Sequence, residues 1–344
     1  MLKSGELRRL VELGVTGITS NPTIFMKAIT GSSDYDDQLE SIQSDGLSDI
    51  DVYEQLALRD IADAADVLRS VYDRSNGDDG FVSLEVNPRL AHDAAGTMAE
   101  ARRLAAALNR PNIMIKVPAT NEGISAIESL ISEGISVNVT LIFALDMYER
   151  VMRAYLAGLQ RRRSSGGDLT TVRSVASFFV SRVDTLVDQL LEKKRQAGHD
   201  VSELMGRAAM ANAKLAYARF ESMFDASGEF GALRDKGARV QRPLWASTST
   251  KNPRYPDTIY VDNLIGPHTV NTMPPQTLEA ALDHARTEVT IREGTDRASR
   301  DLMKLANLDI DMNTVTSHLL REGVQLFADS FEQLMADIRK KRGG

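Results

Sequence analysis

What most constrains this chain is a rhythm: short strand-like runs alternate with helix-length amphipathic stretches along nearly its whole length. The runs span 15–21, 81–87, 112–118, 136–143, 173–179, 243–247 and 268–273. Helical patterns lie between them. Val52, Leu56, Ile61 and Ala65 form a stripe within 51–68, and Ile124, Ile127, Leu130 and Ile131 share a face within 120–133, with Gly134 as a stop. Strand, helix and strand in succession make a parallel pair with a right-handed crossover. Repetition of that unit builds one parallel sheet, either open and doubly wound or closed into a barrel. Two features favour the barrel. No strand is followed by a glycine-rich nucleotide fingerprint, since Gly14 and Gly17 are too few and too close. Polar residues also recur once per unit on one strand parity, which suits a shared central axis. The expected fold is α/β, a (β/α)8 TIM-type barrel forming a single domain over 1–344, with seven of its strands legible. Val324, Phe327, Phe331, Leu334 and Ile338 recur at helical spacing, so an extra C-terminal helix over about 314–341 is expected to pack on the barrel.

Composition narrows the chemistry. The formal net charge of −7 sets the surface as a whole against nucleic acid and anionic membrane, so a phosphate-bearing substrate needs a local basic pocket. The chain has no cysteine, which removes disulfides, thiolate nucleophiles and Cys-ligated zinc together. The five histidines (His92, His199, His268, His284, His318) show no HxH or HxxxH spacing, so neither a metal nor a cofactor is expected. No apolar stretch approaches the ~20 residues of a membrane span, and the opening residues read as an amphipathic helix, so the expected compartment is the cytoplasm. Arg161, Arg162 and Arg163 have no interleaved aromatics; they read as a helix C-terminus whose carbonyls favour cations, not as a nucleic-acid patch.

Strand parity picks out the reactive groups. In 112–118, Ile113, Ile115 and Val117 share the face an outer helix would cover, while Met114, Lys116 and Pro118 point the other way. Lys116 is thereby an inward lysine among apolar groups, where desolvation disfavours the ammonium and leaves a neutral amine nucleophile. Read alone, it fits a structural lysine paired with an interior carboxylate equally well. In 81–87, the same parity turns Ser83, Glu85 and Asn87 inward, and an interior carboxylate needs a partner, a water or a task. Asn138 and Thr140 face in from 136–143, and Thr19 and Asn21 from the first run, although Asn21-Pro22 also fits a plain turn. A lysine, a carboxylate, amides and hydroxyls without metal ligands specify Schiff-base carbonyl chemistry. Lys116 attacks, Glu85 moves protons through a water positioned by Thr140, and the asparagines hold substrate hydroxyls. For an anion, Ser247, Thr248, Ser249, Thr250 and Lys251 follow a late strand, where barrels often bind phosphate, and Arg182 offers a bidentate contact. Taken singly, such a Ser/Thr-rich stretch is only a loop.

Seven segments in order resemble the transaldolase family: GVTGITSNPTIF, SLEVNPR, IMIKVPAT, SVNVTLIF, SVASFFVSRVD, PLWASTSTKNPRY and VDNLIGPHTVNTMPP. The likeness runs from about Ser4 into the terminal helix, and the STSTKNP form is similar to the longer bacterial branch. It implies that Lys116 is the Schiff-base lysine and that Glu85 and Thr140 are the proton-relay groups. Asn21, Asn138 and Ser177 would bind substrate, and Arg182 and Ser247 would contact phosphate; Lys251 is added from its place in the basic loop. The implied reaction moves dihydroxyacetone from sedoheptulose 7-phosphate to glyceraldehyde 3-phosphate in the non-oxidative pentose phosphate branch, by a monomer or homodimer. The resemblance also implies a strand before Ser4 carrying an acid/base aspartate. This sequence opens in the helix that would follow it. The expectation is a barrel lacking its N-terminal strand, with exposed edges on the flanking strands, from a late start codon or a real truncation. The alternatives are a weakly active or inactive sugar-phosphate-binding barrel and a related Schiff-base aldolase that releases free dihydroxyacetone.

Overall fold

The computed structural model describes residues 2, 4–31, 34–42 and 46–343. Each of the seven runs coincides with a strand: β1 (Ile18–Thr19), β2 (Val82–Glu85), β3 (Ile113–Pro118), β4 (Val137–Ile142), β5 (Ser174–Phe179), β6 (Gln241–Ala246), which starts two residues before its run, and β7 (Val270–Asn271). They follow one another through one sheet in chain order, β1 to β7, the connectivity of the (β/α) barrel class. Among the described residues there is no eighth strand, and β1 and β7 end the order. By its internal contacts the chain divides into two compact units. One comprises Met1–Asn138, Thr171–Arg173 and Val324–Gly344, the other Val139–Thr170 and Ser174–Gly323, so the division falls inside β4.

In the first unit β1, β2 and β3 run parallel, with Ile18 opposite Val82 and Glu85 opposite Lys116. The helix Asp49–Arg74 opens with a capping box, in which Ser48 and Asp51 satisfy each other's backbone N–H. Its stripe Val52, Leu56, Ile61, Ala65 and Leu68 is buried, as the periodicity predicts. The turn from this helix into β2 requires glycine. Gly80 has φ 83, and a Cβ there would lie 2.4 Å from the Tyr72 backbone nitrogen. Asn112 then pins the turn, its Nδ2 donating to the carbonyls of Ala65 (2.8 Å) and Gly80 (2.9 Å). Thr120 caps the helix Asn121–Glu133, and Gly134 in the left-handed region ends it. From the terminal helix Met312–Gly343, the part after 323 buries Phe327, Phe331, Leu334 and Ile338. Phe331 packs edge-on against Tyr53, which packs edge-on against Phe25, at centroid distances of 5.5 and 5.7 Å.

In the second unit β5, β6 and β7 run parallel, with Ser177 opposite Leu244 and Phe179 opposite Ala246. Trp245 is buried, donates its indole N–H to the Leu264 carbonyl at 2.9 Å, and meets Phe178 edge-on. The helix Leu145–Ser164 carries Arg161, Arg162 and Arg163 in its last turn, where the cations face the helix carbonyls. The helices Ser181–Gln196 and Ala208–Met223 both lie between β5 and β6 and pack on each other across a turn at Gly206, and Thr295–Asn307 packs on the second of them.

Candidate active site

Register places the two reactive groups of the first unit side by side. Glu85 ends β2 opposite Lys116 on β3, and both side chains are 6% exposed. Lys116 Nζ lies 3.5 Å from Glu85 Oε2 and donates to the backbone carbonyl of Ser20, just past β1, at 3.0 Å. At 3.5 Å the contact with Glu85 is an ion pair and not a hydrogen bond, and the buried Glu85 Oε2 accepts none among the described residues. Burial pushes the Glu85 carboxyl above its ordinary value, against the opposing pull of the Lys116 charge. Phe327, from the terminal helix, places its ring centroid 6.0 Å from Nζ, and Met114 is buried on the same strand. A buried amine next to a carboxyl raised by desolvation can hand its proton across and regain it, which a solvated pair has no reason to do.

Asn138 is buried, and its amide donates to Ser83 Oγ at 3.0 Å, so it is anchored to β2 two residues before Glu85. Asn21 does what an Asn-Pro turn does: its Oδ1 caps the helix Pro22–Thr30 by accepting from Ile24 N at 2.8 Å. That leaves the Nδ2 end of the amide unbonded among the described residues. Glu85 also lines a cleft with Pro22, Tyr53, Asn87, Glu100 and Phe331.

In the second unit Thr140 is 1% exposed, and its hydroxyl has no hydrogen-bond partner among the described residues. The next residue, Leu141, has φ 60, a left-handed conformation that costs a branched aliphatic residue about 1–3 kcal/mol and is found most often at functional sites. Ser177 is buried in β5. Arg182, in the first turn of Ser181–Gln196, stacks over Phe179 at 5.4 Å and has neither hydrogen bond nor ion pair to any described residue. Burial pushes its guanidinium below its ordinary value. The Glu322 charge pulls the other way, and a half-buried guanidinium with uncommitted donors can accept an anion. Ser247, past β6, is also left-handed (φ 57), and its hydroxyl lies 2.9 Å from that of Ser181. Lys251 is exposed and donates to Ser249 Oγ at 2.6 Å.

Sequence reasoning did not find the Ser20 carbonyl, the Phe327 ring, the Phe179 stack under Arg182 or Ser181. Phe327 was visible only as a packing residue, because helical spacing shows that a ring is buried but not what it covers. Among the described residues no helix is long and apolar enough to cross a membrane.

Comparison with known proteins bears on this chemistry. Residues 1–338 match the family described as Transaldolase/Fructose-6-phosphate aldolase. Curated relatives named Transaldolase include one from Saccharopolyspora erythraea, 48% identical over 99% of this chain and 92% of its own length. Another, from Thermobifida fusca, is 50% identical over the same shares. A third, from Neisseria gonorrhoeae, is 45% identical over 98% of this chain and 93% of its own length.

Proposed function

Because the chain belongs to the transaldolase/fructose-6-phosphate aldolase family, we propose that it transfers a dihydroxyacetone unit from sedoheptulose 7-phosphate to glyceraldehyde 3-phosphate through a Schiff base on Lys116. The observation that carries this reading is the buried Lys116 amine 3.5 Å from the Glu85 carboxyl. The amine attacks the ketone of the donor. Glu85 protonates the departing hydroxyl of the carbinolamine, and loss of water leaves an iminium. Cleavage of the C3–C4 bond sends its electron pair into the iminium while Glu85, now a carboxylate, takes the C4 hydroxyl proton through the water, and erythrose 4-phosphate is released. The enamine left on Lys116 attacks the acceptor aldehyde, and hydrolysis frees fructose 6-phosphate. Thr140 continues the inward parity of Asn138 on β4, and its uncommitted hydroxyl suits a water relaying protons to Glu85. Asn21, Asn138 and Ser177 hold sugar hydroxyls. Arg182 and Ser247 bind phosphate, with Lys251 contributing from the loop. The same reading puts the enzyme in the cytoplasm as a monomer or homodimer.

The matched family spans two outcomes for the enamine, transfer to an aldehyde or protonation and release of free dihydroxyacetone. Chromatography of products from fructose 6-phosphate separates them. With erythrose 4-phosphate present, sedoheptulose 7-phosphate is expected to form. Without an acceptor, turnover should stop near one equivalent per enzyme. Steady accumulation of dihydroxyacetone without acceptor would replace transfer with release.

A further inference from the structure

The helix Ser181–Gln196 carries a polar stripe that catalysis does not use. Ser181, Asp184 and Asp188 are three and then four residues apart, which confines them to an arc of about 60° on one helix face. All three engage the stretch after β6, two of them its irregular part and Asp184 the short helix Ile259–Asp262 that closes it. The Ser181 N–H donates to the Ser247 carbonyl at 3.0 Å, and the two hydroxyls lie 2.9 Å apart. Asp184 is 2% exposed. Its Oδ2 accepts from the Tyr260 hydroxyl at 2.7 Å and its Oδ1 from Ala209 N at 2.8 Å. Asp188 repeats the arrangement one turn on, with Tyr255 at 2.7 Å and Gly206 N at 2.8 Å. Gly206 sits under the Tyr255 ring at φ 68, where a Cβ would lie 2.6 Å from the ring, so a side chain there would displace the tyrosine. Burial pushes the Asp184 carboxyl up to about 6, against the pull of these donors. A carboxylate taken into the interior needs every donor it can find, which makes the two forks stiff.

Residues 247–258 contain no regular helix or strand, so side-chain anchors hold them: this stripe, and Thr248, whose hydroxyl donates to Asn271 Oδ1 at 2.8 Å. The segment bears Ser247, Ser249 and Lys251, while the first turn of the same helix bears Arg182. One helix thus carries the guanidinium and fixes the loop that supplies the hydroxyls. We propose that Tyr255 and Tyr260, held by Asp188 and Asp184, are positioning residues that set the phosphate-binding loop against Arg182 and so select phosphorylated sugars. The proposal rests on the assignment of Arg182 and Ser247 to the phosphate.

The test uses Tyr255→Phe and Tyr260→Phe with inorganic phosphate as competitive inhibitor, and fructose 6-phosphate and unphosphorylated fructose as donors. Each variant is expected to raise the phosphate Ki and the KM for fructose 6-phosphate about five- to tenfold, with kcat and kcat/KM for fructose within about twofold. A merely structural role would depress both donors together, and that result overturns the proposal. Tyr255 is the less buried of the two, so its variant carries the test should Tyr260→Phe fail to fold. Arg182→Ala separates the two layers. If it leaves the phosphate Ki unchanged, the anion site falls and the loop proposal with it. If it raises the Ki while both tyrosine variants do not, the loop proposal alone falls.

Discussion

Lys116→Met is expected to lower turnover by about 10⁴-fold or more while leaving the fold intact. The reason lies in what remains after the change. Methionine keeps an unbranched chain of similar length in a buried niche where the Phe327 ring already faces the end of the side chain. It leaves Glu85 without its cation, and an unpaired buried carboxylate would ordinarily be costly. Burial, however, already pushes this carboxyl upward, so it takes up a proton and sits neutral next to the thioether. Lys116→Arg is the sharper companion. It retains the positive charge opposite Glu85 but cannot present a neutral amine, so it should be as inactive as the methionine variant. An arginine variant with substantial turnover would show that charge at this position, and not nucleophilicity, is what the reaction needs. Steady-state rates with fructose 6-phosphate and erythrose 4-phosphate, alongside thermal melting, decide between the two.

Glu85→Gln is expected to cost about 10²–10⁴-fold in kcat with a smaller effect on KM. Glutamine holds the same shape opposite Lys116 but can neither accept nor return a proton. The same variant has a stability signature. The folded-state carboxyl is raised above its ordinary value of 4.5, so the contribution of Glu85 to stability is fully present below 4.5 and lost as pH rises through the folded value. Glu85→Gln cannot titrate and should lose less stability than the parent between acid and neutral pH. Denaturation midpoints followed across that range check the sign. A parent whose slope is matched by the variant would mean that Glu85 titrates normally and is not the buried proton carrier.

The strands could be located from sequence because each has two apolar faces or one apolar and one reactive face, bounded by turn residues. Parity was enough to pair Lys116 with Glu85, since a period of two fixes facing direction without knowledge of the fold, and the register then brings them opposite each other. β1 and β7 are much shorter than their sequence runs, two residues each. Periodicity marks extended chain but cannot tell a hydrogen-bonded strand from the extended residues around it. Asn21 shows a different limit. One residue both caps a helix with its oxygen and keeps an amide uncommitted, so the turn reading and the binding reading were never exclusive. Asp184 and Asp188 are not legible in the sequence. On an amphipathic helix they look like solvated acids, and only the tyrosines some seventy residues on, brought in by tertiary structure, reveal them as buried anchors.

The most direct measurement is chemical capture of the nucleophile. Fructose 6-phosphate is mixed with the enzyme, borohydride is added, and the digested protein is read by mass spectrometry. A reduced three-carbon adduct on the peptide containing Lys116, absent when Lys116→Met is treated in the same way, is the predicted result. A Lys116 peptide that stays unmodified while the enzyme is turning over, or an adduct on any other lysine, would contradict it.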